Sequence, residues 1–137
     1  MEIIRRRHVA DTTTMRALVQ TSRHGPSDLS LVTDARVPES GARDLLIRVT
    51  AAGVNVADVR QSRGSYGGGP QPPYVAGFEA AGEVVGIGPG VASPPSLGSY
   101  VVGTGPGAFA EYMTMPAASA VPVPAGWSGP QALGLVL

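Results

Sequence analysis

Leu45-Leu46-Ile47-Arg48-Val49-Thr50-Ala51-Ala52-Gly53-Val54-Asn55-Val56-Ala57-Asp58 is the run on which the fold turns. As far as Ala51 it alternates. Leu45, Ile47, Val49 and Ala51 fall on one face, and Leu46, Arg48 and Thr50 on the other, the period of a strand with one side buried. Asn55 and Asp58 follow where the strand gives way to a short helix, predicted over residues 56–63 and ended by Gly64. An Asn or Asp at such a junction caps the exposed N–H groups of the next turn. That structural role competes with a catalytic one at both positions.

Working outward, residues 16–21 and 29–37 read as strands separated by a turn at His24-Gly25-Pro26-Ser27-Asp28, with a loop marked by Pro38, Ser40 and Gly41. Beyond the helix, every residue from Gly67 to Pro73 except Gln71 is Gly or Pro, which makes a loop and leaves Tyr66 at its edge. Residues 78–87 form another strand, with Ala81, Glu83, Val85 and Ile87 on one face and Gly82, Val84 and Gly86 on the other. Gly88-Pro89-Gly90 turns the chain. Ser99–Val102 and Phe109–Met115 are two more short strands, and Pro122, Pro124 and Gly126 break up the tail. Short strands with frequent turns and little helix predict a mainly β, barrel-like domain.

At 137 residues, 43% hydrophobic and 15% charged, the chain is one domain with enough apolar content for a core. Its formal charge is +0, so nothing electrostatic favours nucleic acid or an anionic membrane as partner. All 10 basic residues are arginine, which excludes phosphate-loop and Schiff-base lysines. With no cysteine there is no disulfide, thiolate ligand or thiol nucleophile, as suits a cytoplasmic protein. No apolar run reaches the ~18 residues of a membrane span. Residues 1–14 open with Met1-Glu2-Ile3-Ile4-Arg5-Arg6-Arg7-His8 and have no apolar core of a secretory signal. They are expected to be a disordered extension, with the domain running from 15 to 137.

Two glycine motifs imitate nucleotide sites. Gly103-Thr104-Gly105-Pro106-Gly107-Ala108 satisfies G-x-G-x-x-[GA], but Pro116 leaves no room for the helix that must follow, and no acidic residue lies about 20 positions on. Gly86-Ile87-Gly88-Pro89-Gly90-Val91 fails at its sixth position. Both read as turns between strands. His8 and His24 are not at ligand spacing, so no metal site is expected. Glu79, set among small residues, reads as a buried carboxylate in need of a backbone or arginine partner.

Three blocks, Val49–Asp58, Gly77–Val91 and Gly107–Pro124, together resemble the GroES-like, alcohol-dehydrogenase-type N-terminal domain of the zinc-free quinone oxidoreductases, in the medium-chain dehydrogenase/reductase superfamily. The resemblance covers residues 15–137 and implies a partly open β-barrel with short helices. In zinc-dependent relatives the positions of Asn55 and Phe78 are Cys and His ligands, so it implies no zinc. It implies hydride transfer from NADPH to a quinone or activated alkene. Asn55 and Asp58 would line the cleft near the nicotinamide, with Asn55 touching the cofactor, and Tyr66 would orient the substrate or deliver a proton. Leu97-Gly98-Ser99-Tyr100-Val101 departs from the family's V-G-D-R-V segment, lacking its Asp and Arg.

In the family a Rossmann domain follows the barrel, and Gln131–Leu137 resembles the start of the helix leading into it. The expectation is therefore a chain truncated before the cofactor domain and inactive alone. It would expose an apolar C-terminal run, Ala132–Leu137, through which it could self-associate. The competing expectation is a non-catalytic GroES-like binding module. A co-chaperonin relative shares only the barrel.

Overall fold

The computed structural model describes residues 13–137. Its elements are strands β1 (Thr14–Gln20), β2 (Leu29–Arg36), β3 (Asp44–Gly53), β4 (Tyr74–Val75), β5 (Glu79–Ile87), β6 (Tyr100–Thr104), β7 (Tyr112–Pro116) and β8 (Val121–Pro122). Two short helices, α1 (Val56–Ser62) and α2 (Gly129–Ala132), complete them, with 3-10 turns at Pro26–Asp28 and Ala117–Ser119. The extension expected over residues 1–14 falls outside the described residues as far as position 12. Thr14 already belongs to β1, paired with Arg36.

β3 lies inside a five-stranded sheet of order β7-β3-β5-β6-β8, and β1 is the centre of a three-stranded sheet, β2-β1-β4. The sheets are stitched rather than merged. Ala17 bridges Ala110, the Leu18 N–H donates to the Phe109 carbonyl at 2.8 Å, and the Phe109 N–H donates to the Ala76 carbonyl at 2.8 Å. This is the mainly β, partly open barrel anticipated above.

The core is where alternation sends its apolar residues. Leu45, Ile47, Ala80, Val84, Val101, Ala108, Met113 and Met115 form one cluster, and Ala81, Val102 and Ala132 a second behind the sheet. Between β3 and β5 strict alternation fails twice. The register passes from Leu46↔Gly86 to Ile47↔Val84, bulging Val85, and from Val49↔Gly82 to Ala51↔Ala81, bulging Thr50. A bulge slips the period by one. Hence Ile87 packs on the same cluster as Val84 and not with Ala81, correcting the face assigned to it. Thr50 donates its hydroxyl hydrogen to the Ala81 carbonyl at 3.2 Å. Gly82 is obligatory in this crossing, because a Cβ there would overlap the Arg48 carbonyl and lie 2.7 Å from Ile47 Cγ2.

Other expectations need correction. Val121–Pro122, read as a break, pairs with β6 at the sheet edge, where a proline costs no ladder bond. Gly88-Pro89-Gly90 opens a loop running to Ser99 rather than closing a tight hairpin. The tail is not the start of a long helix, since α2 ends at Ala132 and Leu133 is extended (φ −59°, ψ 137°). Ala132 is fully buried, so only Leu135 and Leu137 of the expected apolar run are strongly exposed. Gly103–Ala108 is a turn in which the Gly105 and Gly107 N–H groups donate to the Phe78 and Gly77 carbonyls at 2.8 and 3.1 Å.

Candidate functional site

The end of β3, the start of α1 and the first residue of β5 converge on one carboxylate. Glu79 is 2% exposed. Its Oε2 accepts from Asn55 Nδ2 at 3.1 Å, and its Oε1 accepts from the Gly134 backbone N–H. The partners are thus a side-chain amide and one backbone N–H, and no arginine. Gly53 makes the approach possible, because a Cβ on it would stand 2.5 Å from Glu79 Oε2.

Asn55 and Asp58 meet as their spacing suggested. Asp58 Oδ2 accepts the Asn55 N–H at 2.7 Å, and the Asp58 N–H donates to the Asn55 carbonyl at 3.0 Å. Asp58 thereby satisfies a backbone donor at the start of α1, while the Asn55 amide reaches across to β5. The other Asp58 oxygen, Oδ1, is buried and has no partner among the described residues. Burial pushes the Asp58 carboxyl above its ordinary value; the Asn55 N–H opposes this and the nearby Glu79 charge adds to it. Tyr74, raised chiefly by its own burial, also feels the Asp58 charge.

Tyr66 lies apart from this hydrogen-bonded trio. It is 45% exposed, and its ring sits 5.8 Å from that of Phe78 at an interplanar angle of 48°. Phe78 directly precedes Glu79, so the aromatic pair adjoins the polar network through the chain itself. Val54 (78% exposed) and Val56 (69%) flank Asn55 with apolar surface. Among the described residues no three of His, Cys, Asp and Glu converge as metal ligands would. Sequence reasoning singled out Asn55, Asp58, Tyr66 and the burial of Glu79. It missed Gly134, whose contribution is a backbone N–H and carries no side-chain signal, and Gly53, which the placement of Glu79 alone makes necessary.

With that geometry in place, the alcohol dehydrogenase GroES-like domain model matches residues 41–125. The chain belongs to this family. A prostaglandin reductase-3 from Mus musculus is 40% identical over 114 residues, 81% of this chain and 30% of that protein. A probable quinone oxidoreductase from Leishmania amazonensis is 42% identical over 108 residues, 78% of this chain and 31% of its own. Among solved structures, a mycobacterial quinone oxidoreductase superposes with a TM-score of 0.78 at 36% identity, over 84% of this chain and 35% of that one. A mycobacterial structure complexed with NADPH gives 0.77 at 36% identity. The GroES-like chain thus spans about a third of the length of these relatives, which lie in the quinone-oxidoreductase part of the medium-chain dehydrogenase/reductases. No described helix is long and apolar enough to cross a membrane.

Proposed function

We propose that this domain forms the substrate side of a zinc-free, NADPH-dependent oxidoreductase that reduces a quinone or an activated alkene in the cytoplasm. The observation that carries the reading is Asn55. Its carboxamide is anchored on Glu79 at the mouth of α1, between exposed Val54 and Val56, and Glu79 follows directly on Phe78, which pairs with Tyr66. A flat, amide-bearing ring fits between apolar side chains and a fixed carboxamide, so these residues suit the nicotinamide end of NADPH. They do not suit its pyrophosphate, because the glycine motif within Gly103–Ala110 is a strand-to-strand turn with no helix N-terminus behind it. NADPH, when bound there, would supply a hydride and leave as NADP⁺. The chain's own part is to orient the acceptor: Asn55 by hydrogen bonding, Tyr66 by donating a hydrogen bond or a proton, Phe78 by packing against the Tyr66 ring.

On the family resemblance, Phe78 and Asn55 would stand where the metal-dependent relatives hold zinc ligands, and an aromatic ring donates no lone pair to a metal. The test is a chimera in which residues 13–137 replace the barrel of the mycobacterial quinone oxidoreductase. NADPH oxidation is followed with a quinone and with an enone. The expected result is turnover that falls on Tyr66→Phe and on Asn55→Ala. A chimera that binds NADPH yet reduces neither acceptor would overturn the proposal and favour a binding module.

A further inference from the structure

An ionised carboxylate only accepts hydrogen bonds, so every neighbour of buried Glu79 has to aim a donor at it. For Asn55 that requirement settles which end of the carboxamide is which. Nδ2 must face Glu79, as it does at 3.1 Å, and Oδ1 must face away. The backbone of the same residue is held separately by Asp58 Oδ2 at 2.7 Å. Asn55 is thus oriented by two carboxylates from two elements, and its remaining Nδ2 hydrogen has no acceptor among the described residues. Gly53 is the complement of this arrangement, since any side chain there would displace the Glu79 carboxylate. Arg48, the nearest cation along the β3–β5 ladder, is engaged with Glu83 at 2.5 Å and does not compete for Glu79.

We infer that Glu79 is a positioning residue, which locks the Asn55 carboxamide so that its free N–H is presented as a donor to a carbonyl oxygen at the reacting centre. The geometry stands by itself; the identity of the acceptor as a carbonyl rests on the oxidoreductase reading above. A donor held in one orientation before the acceptor arrives needs no reorganisation on binding, which is where its value to a reaction lies. Glu79 itself, buried behind Asn55, touches no ligand.

The test begins with the full chain and nitrogen-15 NMR of the Asn55 side-chain amide, assigned by its loss in Asn55→Ser. In the wild type the two Hδ2 resonances are expected to be widely split, one shifted downfield and slow to exchange with solvent. Random-coil shifts and rapid exchange would overturn the inference without any variant, so it survives a misfolding mutant. Glu79→Gln, which turns one acceptor into a donor, and Glu79→Asp, which keeps the charge but is one methylene shorter, should both collapse the split pattern. An amide pair unchanged by either would overturn it.

In the chimera, Glu79→Gln should lower kcat about tenfold or more, and should lower it no further in an Asn55→Ala background. Full additivity of the two changes would overturn the inference, because Glu79 would then act independently of Asn55. A parent chimera without turnover defeats the oxidoreductase reading alone, and the amide signature still decides the positioning.

Discussion

Replacing Glu79 with alanine tests the junction at which β5 meets Asn55 and the segment after α2. Two hydrogen bonds are lost, those from Asn55 Nδ2 and from the Gly134 N–H. Hydrogen bonds to a charged group contribute about 1.5–3 kcal/mol each, so the gross loss is roughly 3–6 kcal/mol. Two effects reduce it. The variant no longer buries a charge, whose desolvation opposes folding by several kcal/mol. Gly134 is also exposed, so water can take over its N–H. The net expectation is a destabilisation of about 2–3 kcal/mol, or a fall in Tm of roughly 10 °C for a domain of this size. Glu79→Gln should cost about 1 kcal/mol, because the Asn55 amide can flip to accept from the new side chain while Gly134 keeps its acceptor. Urea unfolding followed by circular dichroism measures both. If alanine and glutamine variants unfold within about 0.5 kcal/mol of wild type, the carboxylate does not hold these elements together.

The remaining predictions are shorter. Asp58→Asn should steepen the acid limb of the stability profile, because it removes a term that favours the fold at low pH. A carboxyl raised above 3.8 by burial contributes stability that is complete below that value and is lost as pH rises through the folded pKa, and the wild-type-minus-variant difference should show that sign. Glu111, held low by the Arg16 backbone N–H and guanidinium, slopes the other way but is common to both proteins and cancels. Gly82→Ala should destabilise by about 2 kcal/mol or more, since its Cβ meets the Arg48 carbonyl rather than a side chain that can move; an unchanged urea midpoint would contradict this. Sedimentation at rising concentration should reveal self-association through Leu135 and Leu137, exposed at 48% and 62%, and Leu135→Ser/Leu137→Ser should abolish it. Elemental analysis after dialysis should find no stoichiometric zinc; about one ion per chain would refute the zinc-free reading.

Legibility in the sequence followed the range of the interactions. The β3 alternation was readable as far as Val49 because a one-sided strand writes its burial locally. It failed at Thr50, since that bulge is imposed by pairing with Ala81 and Gly82 on another strand. β4 and β8, of 2 residues each, have no period to read and exist only through their partners in β1 and β6. At the site, Asn55 and Asp58 were visible because they contact each other within one helical turn. Glu79 was visible as buried among small residues, but one of its partners lies 55 positions away on the backbone of Gly134. No residue type advertises such a contact.

That distant partner changes what a mutation at Glu79 reports. The carboxylate orients Asn55 through one oxygen and holds the segment after α2 through the other, so a loss of activity in Glu79→Ala could arise from either oxygen. The two are separable because they fail differently. Loss of the Gly134 contact lowers stability without altering the Asn55 amide, whereas loss of the Asn55 contact collapses the amide signature in every variant that cannot reach it. Glu79→Gln retains an acceptor for Gly134 and withdraws the anion from Asn55. Its selective effect on kcat, at a cost of about 1 kcal/mol in stability, is therefore the outcome that assigns Glu79 to the site rather than to the scaffold alone.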